Sequence, residues 1–128
     1  MRAIVVDDSR ATRMILRKIL ESIGFEVEQA ENGQVAYDAL CASVPFDVPD
    51  LALVDWNMPV MNGIELVEAV RANEEFDDLK IIMCTTETEI SQMTLALLTG
   101  ANEYVMKPFT PDTIADKLAL IGMPMARS

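Results

Sequence analysis

The stretch Leu51-Ala52-Leu53-Val54-Asp55-Trp56-Asn57-Met58-Pro59 decides the fold. Four apolar residues end on one carboxylate, and the turn-forming Asn57 and Pro59 stop the run at once. A short, wholly apolar run of this kind reads as a buried strand of a parallel sheet. Its ionisable group is delivered to its carboxyl end.

The same device recurs on both sides. Ala3-Ile4-Val5-Val6 runs into Asp7-Asp8, Ile81-Ile82-Met83-Cys84 ends at Thr85-Thr86, and Tyr104-Val105-Met106 ends at Lys107-Pro108. In open parallel α/β sheets the ligand site lies outside the carboxyl ends of the strands, so Asp7, Asp8, Asp55, Thr85 and Lys107 are expected to converge. Charges set against an apolar core are costly unless they are paired or bind a metal. A cluster with excess negative charge calls for a divalent cation.

Between these strands the period changes from two to 3.6. Ala11, Met14, Ile15, Ile19, Leu20 and Ile23 recur at helical spacing up to Gly24, and Phe25 to Gln29 alternates like a short strand near a sheet edge. Asn32-Gly33 opens a helix through Ala36, Ala39 and Leu40; residues 43–50, with Pro45 and Pro49, read as an irregular loop. Ile64, Val67 and Val70 mark a third helix, which ends in the polar stretch 73–78. Lys80 to Cys84 is a strand, Ile90, Met93 and Leu97 mark a fourth helix stopping at Gly100, and Asn102 to Met106 is the fifth strand. Thr110-Pro111 supplies an N-cap and a first-turn proline for a last helix with Ile114, Leu118 and Ile121 inward. The order is (βα)₅. Right-handed crossovers make this a doubly wound α/β fold, a parallel five-stranded sheet in the flavodoxin-like order 2-1-3-4-5.

The 128 residues suit one domain spanning 1–128. A strand begins almost at the first residue, leaving no room for a signal peptide, and no apolar run approaches a membrane span, so a cytoplasmic protein without membrane insertion is expected. Cys41 and Cys84 fall in apolar patterns and read as core thiols. Ten Lys and Arg against 21 Asp and Glu leave a net charge of -11, which opposes direct nucleic-acid binding. Of the nine methionines, Met14, Met83, Met93 and Met106 sit in core patterns; Met58, Met61, Met123 and Met125 are the candidates for surface contact.

Asp7-Asp8, the segment Asp55-Trp56-Asn57-Met58-Pro59, Thr85 and Lys107-Pro108-Phe109 resemble the response-regulator receiver domain, in its single-domain CheY-like form, over essentially the whole chain. The resemblance implies that Asp55 accepts a phosphoryl group from the phosphohistidine of a sensor histidine kinase. It implies Mg²⁺ held by Asp8, Asp55 and the backbone carbonyl of Asn57, with Asp7 acting directly or through water, a ligation that suits this hard cation. Lys107 and Thr85 would contact phosphoryl oxygens. Tyr104 would swing inward behind Thr85 and reshape the surface of the fourth helix, fifth strand and fifth helix for a downstream target protein. Asn57 and Glu87 would tune the phosphoryl lifetime. A monomer in a chemotaxis or motility pathway is expected. The loop at 43–50 is a few residues longer than in close members.

Each residue alone admits a structural reading. Asp7-Asp8 could cap a helix, Asp55 could end a strand in a turn, Lys107 could be a solvated lysine, and Tyr104 could be half-buried packing. Thr86 and Thr88 offer the same hydroxyl as Thr85, which is preferred because it follows the strand directly. The combination at four strand ends separates function from packing. Against an aspartate-nucleophile phosphatase, the position two after Asp55 is Asn57, where such an enzyme needs a second carboxylate; no turnover enzyme is expected. The alternatives are a relay intermediate or phosphate sink, passing the group to a histidine phosphotransfer protein, and a phosphorylation-independent adaptor. Finally, clustered acids destabilise a metal-free fold, so replacing Asp7 or Asp8 by Asn is expected to raise its melting temperature.

Overall fold

Alternate residues of each strand bury on opposite sides of one sheet. Ile4, Val6, Ala52, Val54, Ile81 and Met83 join one apolar cluster, while Ala3, Val5, Leu51, Leu53, Ile82, Cys84 and Val105 join another. A sheet apolar on both faces needs helices on both, which is the doubly wound arrangement. A computed structural model gives this architecture and describes residues 1–86 and 90–123.

The elements are β1 (Arg2–Val6), α1 (Arg10–Ser22), β2 (Glu26–Ala30), α2 (Gly33–Ser43), β3 (Leu51–Asp55), α3 (Gly63–Arg71), β4 (Lys80–Thr85), α4 (Ile90–Thr99), β5 (Glu103–Met106) and α5 (Pro111–Leu120), with a 3₁₀ turn at Glu74–Phe76. All strand pairs are parallel and the order is β2-β1-β3-β4-β5. Leu40 of α2, Leu66, Val67 and Val70 of α3, and Ala96 of α4 cover the first face; Leu16, Ile19 and Leu20 of α1 and Ile114 and Leu118 of α5 cover the second. Each fully buried large side chain contributes about 1.5–3 kcal/mol.

Capping residues start the helices where the sequence signals them. Ser9, Asn32, Asn62 and Thr110 each accept a backbone N–H three residues on, and Asn62 with Glu65 and Thr110 with Thr113 form reciprocal capping boxes. The register sets Asp55, the last residue of β3, opposite Cys84, so β4 runs one residue further and ends at Thr85.

Several expectations need correction. In α1 Ile19 and Leu20 are buried and Ile23 packs against the second cluster as the spacing predicts, but Met14 and Ile15 are 45% and 52% exposed and Leu16 takes the inward place instead. Leu97 of α4 is exposed and the smaller Ala96 faces the core. Cys41 is an exposed thiol, because the inner face of α2 is taken by Ala36 and Leu40. Met106 is 36% exposed at the end of β5, and Met123, expected at the surface, packs into the second cluster. The polar stretch 73–78 hides Phe76, which is fully buried and meets Tyr37 edge-on at 6.2 Å between ring centroids. Glu87, Thr88 and Met125, and the side chain of Ile90, lie outside the described residues.

Candidate functional site

The carboxyl ends of β1, β3 and β5 bring together the acids and the lysine that the strand pattern singles out. Lys107 Nζ donates to Asp55 Oδ1 at 2.7 Å and to Asp7 Oδ2 at 3.2 Å. Asp7 is 1% exposed and Asp55 7%, while Asp8 is open to solvent. The three acids can each offer an oxygen within 4.8 Å of the others.

Local backbone contacts hold this geometry. Asp7 Oδ1 accepts from the Ser9 N–H at 2.8 Å, and Asp7 donates its own N–H to Ala30. Arg13 of α1 donates to the Asp7 carbonyl at 2.6 Å and to Gln29 at 3.2 Å, tying the first helix to the turn. The Lys107 N–H donates to the Thr85 carbonyl and the Trp56 N–H to the Cys84 carbonyl, so backbone bonds across β4 continue past the strand ends. Gly63 packs against the Asp55 backbone; a Cβ there would strike the Asp55 carbonyl oxygen and approach the Met83 methyl to 2.7 Å.

Burial pushes the Asp55 carboxyl above its ordinary value; the Lys107 hydrogen bond pulls it back, and the charges of Asp7 and Asp8 push it up again. For Lys107 burial works downward, but the hydrogen bond and charge of Asp55, with Asp7 behind them, leave the ammonium above its usual range. Burial, chiefly, pushes the Cys84 thiol up to about 12, which makes it an inert core group.

Three carboxylates against one ammonium leave the cluster anionic, and the donors are oxygens throughout. That set suits a hard cation such as Mg²⁺, and the chain contains no histidine to suggest a softer one. Asp8 lines an open cleft of about 380 Å³ with Asn57, Met58, Pro59 and Asn62, which gives a small anion or ion a way in. Thr85 is buried at the end of β4. Tyr104 is half-buried one strand further, with Lys117 Nζ 4.5 Å from its ring centroid, and belongs to the surrounding packing rather than to the acid cluster. Asp7 pairs with both Lys107 and the Ser9 N–H, while its charge remains among those that push the Asp55 carboxyl up.

Sequence reasoning missed Arg13, because an inward face that includes Met14 and Ile15 leaves Arg13 on the solvent side, whereas the buried face runs through Leu16 and Leu20 beside it. It also missed Arg71 at the end of α3, whose guanidinium donates to the carbonyls of Phe76, Leu79 and Gly100. A basic residue in the last helical turn signals only a dipole interaction.

The sequence matches the family described as response regulator receiver domain over residues 3–119. It is 42% identical to the chemotaxis protein CheY1 of Helicobacter pylori over 122 residues, covering 94% of this chain and 96% of that one. It is 43% identical to the chemotaxis protein CheY homolog of Campylobacter jejuni, covering 92% and 89%. Among solved structures, the chemotaxis response regulator CheY4 of Vibrio cholerae superposes with a TM-score of 0.83 at 34% identity, covering 94% of this chain and 97% of the other.

Proposed function

Because the chain belongs to the response regulator receiver domain family, we propose that it is a phosphorylation-driven switch whose acceptor is Asp55. The observation that carries this reading is the bridging of Asp55 and Asp7 by Lys107 beside the solvent-open Asp8. An Asp55 carboxylate oxygen attacks phosphorus, the bond from phosphorus to the imidazole nitrogen of a kinase phosphohistidine breaks, and that nitrogen leaves with the electron pair. Lys107 is already at hydrogen-bond distance from the acceptor and supplies positive charge where phosphoryl oxygens would gather.

Asp8, Asp55 and the Asn57 carbonyl, with Asp7 directly or through water, would hold Mg²⁺. The ion supplies charge neutralisation that lets an anionic donor approach an anionic acceptor. Asn57, whose side chain is exposed in the same cleft, and Glu87 are assigned to the access of water and so to phosphoryl lifetime. The protein acts as a self-phosphorylating, self-dephosphorylating switch and not as a turnover enzyme.

Output passes through the surface of α4, β5 and α5. Thr85 bonds a phosphoryl oxygen and Tyr104 follows inward, the differential contact that a two-state shift requires. Leu95, Leu97, Leu98 and Met106 expose apolar area on α4 and β5, with Leu98 81% exposed, which suits a protein partner rather than solvent. The relatives' names support a chemotaxis pathway; in this reading a sensor histidine kinase acts upstream, a target protein downstream, and the setting is cytoplasmic. Among the described residues no helix is long and apolar enough to cross a membrane.

The test is exposure to acetyl phosphate and Mg²⁺ followed by intact mass. The wild type is expected to gain one phosphoryl group and Asp55→Asn none; a gain that survives Asp55→Asn would assign the acceptor elsewhere.

A further inference from the structure

The helix α4 is held very unevenly along its length. Among its described side chains only Ala96 is buried, while Leu95, Leu97 and Leu98 face solvent. One turn before Ala96, the Gln92 side-chain oxygen Oε1 is buried without a hydrogen-bond partner. Elements with little buried apolar contact and unsatisfied polar atoms belong to the low-stability end of a fold.

The other end of the helix is fastened. Gly100, at a φ of +129°, and Ala101 donate back to the Ala96 carbonyl, closing the last turn. Arg71 at the end of α3 then makes four hydrogen bonds around this point. Its Nε donates to the Gly100 carbonyl at 2.8 Å, Nη1 to the Phe76 carbonyl at 2.9 Å, and Nη2 to the Leu79 carbonyl at 2.7 Å and Asn102 Oδ1 at 2.9 Å. Asn102 Oδ1 also accepts from the Ile81 N–H, and the Asn102 N–H returns to the Ile81 carbonyl, so the start of β4 is tied to the same group. The contact excludes side chains larger than hydrogen at position 100, since a Cβ there would lie 2.5 Å from Arg71 Cγ.

We propose that the Arg71 guanidinium is a pivot: it fixes the C-terminal turn of α4 to α3 and to the segments that lead into β4 and β5, so that a change at the acceptor site moves the N-terminal end of α4 most and its last turn least. This rests on the acceptor reading above. Arg71 touches neither acceptor nor cation and is a positioning residue. A planar fork with several fixed donors can hold three carbonyls and an amide at once, which a lysine cannot. Rotation about a fixed end moves the exposed leucines of α4 progressively with their distance from Gly100.

The experiment is amide hydrogen exchange on the full chain with and without Mg²⁺ and beryllofluoride, alongside the fluorescence of Trp56, which adjoins Asp55. In the wild type, exchange is expected to change at residues 91–95 while Gly100 and Ala101 keep their protection. In Arg71→Lys, protection of Gly100 and Ala101 should fall by about tenfold or more, and the ligand-induced change should spread along the whole helix. The Trp56 half-saturation should stay within roughly twofold, since the acceptor cluster is untouched. Asn102→Ala, which removes one of the four bonds, should give the same pattern at smaller amplitude and serves if Arg71→Lys does not fold. A normal Trp56 response with Gly100 and Ala101 changing as much as residues 91–95, or with protection unaltered in both variants, overturns the pivot alone. Absence of any Trp56 response in the wild type overturns the acceptor reading, and the pivot loses its trigger with it.

Discussion

Lys107 donates to Asp55 across 2.7 Å, a bond that joins the end of β5 to the end of β3 although β4 lies between them. The lysine is thus a tie across the sheet top as well as a source of charge. Lys107→Met would leave two buried carboxylates facing each other. With Lys107 itself still 23% exposed, the loss falls below that of a wholly buried pair, at about 1–3 kcal/mol. Urea denaturation of the metal-free protein measures it, and an unchanged or raised midpoint would refute the tie.

The raised Asp55 carboxyl gives a pH dependence of known sign. Because its folded value lies above the ordinary 3.8, the folded protein binds this proton more tightly than the unfolded chain. The resulting stability is complete below pH 3.8 and is lost as pH rises through the folded value. Asp55→Asn removes that contribution. The stability of the metal-free wild type relative to Asp55→Asn is therefore expected to grow as pH falls from 7 toward 4; a difference that stays flat or shrinks contradicts the assignment.

Asp8 is the acid of the cluster that faces solvent, and its charge adds to the upward push on Asp55. Asp8→Asn should relieve a solvent-screened repulsion worth ~0.5 kcal/mol, or roughly 2 °C in metal-free melting temperature. It should also reduce the stabilisation that Mg²⁺ confers. Thermal melts with and without the ion read both effects, and an unchanged or lowered metal-free value would contradict the repulsion.

Val60, exposed in the loop between β3 and α3, has a φ of 70°. A β-branched residue in the left-handed region is strained by about 1–2 kcal/mol, and asparagine tolerates that region better. Val60→Asn is expected to stabilise the protein by about 1 kcal/mol without altering acetyl phosphate labelling. Denaturant midpoints for the two proteins decide it, and a lower midpoint for the variant would show that Val60 is held there by contacts worth more than its strain.

The strands were legible in the sequence because their apolar runs are short and each stops at a polar residue. Asp7, Asp8, Asp55 and Lys107 followed from that placement without knowledge of any distance. The helix phases were less legible. In α1 the spacing finds Ile19 and Leu20, but only the packing against β1 and β2 selects Leu16 over Met14 and Ile15. Phe76 was hidden because acidic neighbours on both sides set the local pattern, whereas its burial depends on Tyr37, far away in sequence. The role of Arg71 was not legible at all, since it bonds to backbone carbonyls whose positions only the assembled fold defines.

The central claim is that one carboxylate, Asp55, carries the phosphoryl group. Acyl phosphates are reduced by borohydride, so treating the acetyl phosphate-labelled protein with borohydride and mapping the peptides locates the acceptor directly. The account predicts homoserine at position 55 and unmodified aspartate at positions 7 and 8; reduction at either of those positions, or at none, would contradict it.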